Sequence, residues 1–225
     1  MCKKAQTFIV CNFLLEFVVN TYKGEKKMKQ EGIRQKLIES AIHVVATDGI
    51  HKATTKAIAA HSGVNEVYIY RTFEDKEDLF AQTFALIDSE LIACILKYEP
   101  IMQMKGIDIE ERCYIFFKSC WKNILDYDKC SFFIKYYYSQ YYNSYSPLKR
   151  RKAYSEVIES FTPAFKPGTD VWRMFNRILD IVYSTIIKIL RDEIPDNDET
   201  ADDVFRVLYS AMEPFLVWNE SKIDK

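Results

Sequence analysis

A chain of 225 residues that is 48% hydrophobic and 15% aromatic can bury one large core, or a small domain joined to a medium one. Its formal charge of −1 excludes a globally basic nucleic-acid binder, so any affinity for a polyanion must come from a local face. Glycine and proline number only six each, and the apolar residues recur at helical spacing, which predicts an all-α protein.

Residues 1–27 open with Lys3, Lys4 and an apolar run from Thr7 to Val19. The run lacks a small-x-small cleavage site, is interrupted by Asn12 and Glu16, and is too short to span a bilayer. Lys23-Gly24-Glu25 back-translates to a stretch containing GGAG, a short distance upstream of the codon for Met28. That is the place of a bacterial ribosome-binding site. Residues 1–27 are therefore expected to be a mis-called or disordered extension; an amphipathic helix that docks or touches a membrane is the alternative.

Ile33, Leu37, Ile38, Ala41, Ile42, Val44 and Val45 lie on one helical face that ends at Asp48-Gly49. Thr54 or Thr55 can cap a short second helix, Lys56 to His61, which stops at Ser62-Gly63. Asn65 can cap a third, Glu66 to Thr72, closed by Phe73. Ala59 is small enough for the second and third helices to cross closely, and Gly63 accepts the positive φ of a tight turn. Ile69 is expected to turn inward onto Ile58 and Val64. The opposite side of the third helix then presents Glu66, Val67, Tyr68, Tyr70 and Arg71, a length that fits the major groove. Residues 28–80 hold seven Lys/Arg against eight Asp/Glu, so few phosphate contacts and a modest salt dependence are expected. His43, His51 and His61 match no metal-site spacing and read as surface or partly buried residues.

The stretch from Ile33 to Phe80 resembles the TetR/AcrR family of bacterial regulators. The hallmark falls in one register: Gly63-Val64, Asn65, Ile69-Tyr70, Phe73 and Lys76-Glu77-Asp78-Leu79. The resemblance implies that Thr55 and Lys56 meet a phosphate or a base edge, that Tyr70 and Lys76 bind flanking phosphates, and that Glu66, Val67 and Tyr68 read bases. Small residues are more usual in the family at positions 67 and 68, so Val67 and Tyr68 depart from it. The domains expected are a helix-turn-helix reader over 28–75 and a helical ligand-binding and dimerisation domain over 76–225.

The remaining helices are predicted at Leu79–Tyr98, ended by Pro100, then Ile109–Tyr127, Ser131–Tyr142, Pro147–Phe165, Asp170–Arg191 and Thr200–Trp218. In the resembled family this part holds a ligand cavity, and its last two helices form the dimer interface. Phe117, Trp121, Phe133, Tyr137, Tyr141 and Trp172 are the pocket candidates, plain aromatic core being the competing reading. Ile178, Ile181, Val182, Thr185, Ile189, Val204, Leu208 and Ala211 are the interface candidates. Lys149-Arg150-Arg151-Lys152 reads as a solvated helix face, with a separate anion site as the remoter alternative.

Six scattered cysteines without a C-x-x-C read as reduced thiols, against a redox sensor built on Cys113, Cys120 and Cys130. No G-x-S-x-G, P-loop or H-E-x-x-H occurs, so no enzyme, cofactor or metal is expected. The function implied is a cytoplasmic, ligand-responsive repressor that binds a palindromic double-stranded DNA operator as a homodimer. A small-molecule effector would release it, and no membrane is expected. The alternative is a dimeric ligand-binding or interaction module of the same fold without specific DNA binding.

Overall fold

The computed structural model describes residues 28–124, 126–144 and 147–217. The proposed extension at 1–27 lies outside the described residues. Among those described, every regular element is a helix, and the nearest thing to a sheet is one antiparallel bridge between Phe165 and Leu216.

Helix α1 (28–48) buries Leu37, Ile38, Ala41, Val44 and Val45, the stripe its periodicity predicts. Gly49 ends it at φ 88°. Thr54 caps α2 (Thr55–Ser62) by accepting from the Ala57 amide at 3.1 Å. Helix α3 (Val67–Thr72) follows across a turn at Gly63, and α4 (Lys76–Tyr98) starts at Asp75, whose carboxylate accepts from the Asp78 amide at 2.7 Å. The Asp78 carboxylate in turn accepts from the Glu74 amide at 3.0 Å, so both sides of this helix start are satisfied.

The long α4 is the axis of the molecule. It buries Leu79, Phe80, Thr83, Phe84, Ile87, Asp88 and Ile95. Around it pack α5 (Ile109–Ile124), α6 (Tyr127–Tyr137) and α8 (Ser155–Phe161), with α9 (Val171–Leu190) against α6 and α8, and α10 (Asp198–Met212) against α5 and α9. Residues Lys76–Gln103 are long and apolar enough to cross a membrane. In this fold their inner face is closed by neighbouring helices and carries a charge pair.

Four predicted helices are redrawn, the expected Ser131–Tyr142 instead running from Tyr127 to Tyr137 with a 3-10 turn at Gln140–Ser144 after it. The expected helix Ile109–Tyr127 ends at Ile124, because Asp126 accepts from the Lys129 amide and starts α6. Pro147–Phe165 becomes α7 (Pro147–Ala153), α8 and a 3-10 turn at Thr162–Ala164, the first break falling at Tyr154. Thr200–Trp218 is helical only to Met212, after which Pro214 sits in a 3-10 turn.

The basic run at 149–152 divides as well. Lys149, Arg151 and Lys152 are exposed, but Arg150 is 1% exposed and points into the core. Its guanidinium donates to Asp88 of α4 through Nε at 3.0 Å and Nη2 at 3.3 Å. The Tyr154 hydroxyl donates to the same carboxylate at 2.5 Å. Phe133, Tyr137 and Tyr154 present rings to the cation at 5.7, 5.4 and 5.2 Å. Periodicity alone put this arginine in water because its three neighbours are charged; the buried carboxylate one helix away overrides it.

A buried charge left alone costs far more than the intact pair contributes. Asp88→Ala is therefore expected to destabilise the protein by about 3–5 kcal/mol, while the double replacement Asp88→Leu with Arg150→Met recovers most of that loss. Urea denaturation of the two variants measures both; equal losses would show that the charges are not coupled.

Candidate nucleic-acid interface and effector cavity

The reader is built on a turn whose hydrogen bonds are all local. Gly63 stands at φ 65°, ψ 17°, a conformation that costs a residue with a Cβ about 1 kcal/mol. Its amide bonds to the Ala60 carbonyl and the Val64 amide to that of Ala59, while the Ser62 hydroxyl closes on Ala59 as well. Asn65 Oδ1 then accepts from the Val67 amide at 2.9 Å and starts α3. Ile58 and Ile69 are fully buried and Ala59 nearly so, with Val64 packed on the same cluster. The crossing expected from Ala59, Gly63 and Ile69 is the one the fold adopts.

The residues that α3 turns outward form two groups. Val67 (52% exposed), Tyr70 (58% exposed) and Arg71 stand clear, with Lys56 exposed on α2 beside them. Tyr68 is half-buried, packed on the domain core, and the Arg71 guanidinium lies 5.4 Å above its ring. The Thr55 hydroxyl donates to Glu66 Oε1 at 2.5 Å, a side-chain bond that ties α2 to the start of α3. Thr55 and Glu66 are thus engaged with each other, and sequence spacing alone did not reveal it. Lys76 is drawn back over the ring of Tyr141 at 5.1 Å, with its Nζ 3.4 Å from the Tyr141 hydroxyl.

Contacts between reader and core converge on α1 and α6. Lys135 donates to the carbonyls of Val45 and Ala46 at 3.2 and 2.6 Å, satisfying the C-terminal end of α1. Burial holds the Lys135 ammonium below its ordinary pKa. His43 donates from Nδ1 to Asp128 at 3.1 Å and stacks on His61 at 4.4 Å, which in turn lies 3.0 Å from Ser40.

The predicted pocket residues do not share one site. Phe117 and Trp121 line a cavity of about 130 Å³ between α4, α5, α8, α9 and α10. Phe133 lines a second cavity, of about 220 Å³, between α4, α6 and α9. Tyr137, Tyr141 and Trp172 border neither. Tyr141 belongs to the junction with the reader, edge-on to Phe80 at 5.9 Å, and Trp172 packs on Tyr154 at 5.7 Å. Tyr137 stacks on Phe133 and meets Tyr142, so most of the aromatic run is core, the reading that helical spacing favours. The first cavity draws instead on aliphatic and aromatic positions spread along the chain, among them Phe116, Phe161, Phe175, Phe205 and Met212, which no local pattern could have gathered.

The interface candidates also divide. Val182, Ile189, Val204 and Leu208 are buried within the protomer, and Ile178 lines the first cavity, so none of these five lies on its outer face. They occupy the inner stripe of each helix, which a periodic count cannot distinguish from an outer one. Ile181, Thr185 and Ala211 remain accessible, beside Val207, which is 55% exposed.

The thiols of Cys113 and Cys130 are pushed up to about 12 by burial, and those of Cys94 and Cys120 are raised for the same reason. Burial thus opposes the thiolate that a sensor on Cys113, Cys120 and Cys130 would need. Cys2 and Cys11 lie outside the described residues.

Residues 37–83 match the family model of bacterial regulatory proteins of the tetR family. The nucleoid occlusion factor SlmA of Photorhabdus laumondii is 32% identical over 68 residues, 30% of this chain and 34% of that protein, so the match spans about a third of that relative. Among solved structures, a TetR family transcription regulator from Marinobacter aquaeolei VT8 aligns with a TM-score of 0.65 at 16% identity, covering 82% of this chain and 97% of its own. One described as a putative tetR family transcription regulator from Shewanella sp. PV-4 aligns at 0.63 and 17%, covering 82% and 98%. At such identities the structures establish the fold, while the matched segment coincides with the helix-turn-helix and the first turns of α4. Residues 37–83 thus carry the sequence pattern of the tetR family of bacterial regulatory proteins, and the chain shares the fold of solved structures of that description.

Proposed function

We propose that this protein is a cytoplasmic, homodimeric repressor that occupies a palindromic operator and leaves it when a small apolar effector enters the core. The observation that carries the reading is one chain holding both an outward α3 face on a locally locked turn and a carbon-lined cavity.

In this reading Tyr70, Lys56 and Lys76 hold phosphates, Val67 and Tyr68 meet base edges or the thymine methyl, and Arg71 supports both. Thr55 and Glu66 contribute by holding α2 and α3 at a fixed crossing. Lys76 must leave the ring of Tyr141 to reach a phosphate, which makes that contact sensitive to the packing behind it. The dimer forms through the outer faces of α9 and α10, around Ile181, Thr185, Val207 and Ala211.

Release follows from a change in the angle between α4 and the dimer core, which moves the two α3 helices out of register with successive major grooves. Helix α6 offers a second link. It borders the larger cavity with Lys129, Cys130 and Phe133, and grips the end of α1 with Asp128 and Lys135. The charge balance of the reader favours keeping the second reading, an interaction module without specific DNA binding.

Tyr70→Ala is expected to weaken operator binding about tenfold or more, the net worth of a hydrogen bond to a charged group, with the thermal midpoint unchanged. Gel shifts across a salt series check it, and unchanged affinity with no operator preference would favour the module reading. Val207→Glu places like charges about the two-fold axis and is expected to convert dimer to monomer. Analytical ultracentrifugation decides this; a dimer unaffected by the change would move the interface elsewhere.

A further inference from the structure

The two cavities adjoin. Leu91 of α4 lines both. Beside it Cys94 borders the larger cavity and Cys120 the smaller. The inner chamber has no charged side chain in its wall, and at about 130 Å³ it compares with the apolar cavities of about 150 Å³ that accept benzene. Its lining is rich in rings, with Phe116, Phe117, Trp121, Phe161, Phe175 and Phe205 all on the wall.

The outer chamber is different. Its rim carries the exposed Glu90, Asn123 and Asp126 and the half-buried Lys129, and it shares Leu91 with the inner chamber. Lys129 donates to Glu90 at 2.7 Å across the mouth, joining α6 to α4. With that pair neutral, Asp126 leaves the rim one negative charge in excess. Arg150, the buried cation behind Phe133, is neutralised by Asp88. Deeper in the chamber stand Phe133 and Tyr183, and the buried Tyr183 hydroxyl has no hydrogen-bond partner among the described residues. An unpaired hydroxyl costs stability that a polar ligand can restore.

We propose that the two chambers form one site for a small arylalkyl amine, its ring in the inner chamber and its ammonium between Glu90 and Asp126, with Leu91 displaced. The inference rests on the effector reading of the inner cavity and names the class of its ligand. A carboxylate of the same shape would face two carboxylates against one ammonium at the rim, whereas an ammonium finds countercharge there and aromatic faces behind it.

Isothermal titration of the full-length protein with 2-phenylethylamine, 2-phenylethanol and 3-phenylpropanoate tests this at one pH and ionic strength. The amine is expected to bind at least tenfold more tightly than the alcohol, and the carboxylate most weakly. In Glu90→Gln the advantage of amine over alcohol should shrink several-fold, while the affinity for the alcohol holds. A carboxylate that binds as tightly as the amine, or an advantage that survives Glu90→Gln in full, overturns the proposal. Leu91→Trp should weaken amine and alcohol alike; should that variant not fold, intermolecular NOEs from the phenyl protons to the inner-chamber side chains of the unmodified protein answer the same question, and their absence with binding intact overturns it. Gel shifts separate the two readings. Selective amine binding without operator release refutes the effector role and leaves the ligand class, while release by apolar compounds without any amine preference does the reverse.

Discussion

The carboxylate of Asp88 sits midway along the central helix with 1% of its surface exposed, and the helices on one side of the molecule are arranged around it. Removing a carboxylate from water is tolerable only when a cation and further donors replace the solvent. Arg150 and Tyr154 supply them, so the segment after residue 147 must bring both inward while leaving Lys149, Arg151 and Lys152 in water. The division of that segment at Tyr154 falls at one of the two groups that answer the carboxylate.

That charge pair also shapes what lies beside it. The Arg150 cation lies against Phe133 and Tyr137, and Phe133 borders the outer chamber with Tyr183. The polar centre of the fold and the proposed ligand site therefore share a wall. Along the same stripe of α4 the packing around Leu91 and Ile95 is apolar, and it is there that space remains. An apolar void is stable when no water can be satisfied inside it, which suits the inner chamber.

Communication along the molecule depends on a few side chains that cross between packed units. Lys135 completes the end of α1, His43 pairs with Asp128, and Lys76 rests on Tyr141 at the start of α4. Each joins the reader to α4, α6 or the turn after α6, and each polar bond is partly open to water. Such contacts are cheaper to rearrange than the buried clusters on either side, which makes them suitable hinges between two rigid packings.

The helix-turn-helix was legible in the sequence because its determinants act within a few residues: Thr54 and Asn65 cap their own helices, Gly63 alone accepts the turn, and Ile69 follows from helical periodicity. The all-α class and the ends of α2, α3 and α9 were legible for the same reason. Tertiary structure alone decided that Arg150 is buried, that Tyr141 serves the junction and that Val182, Val204 and Leu208 face inward. It also decided that Thr55 binds Glu66 and that the cavity gathers Phe161, Phe205 and Met212. Periodicity names the apolar stripe of a helix, but what covers the stripe depends on contacts between residues far apart in the chain, which no local pattern records.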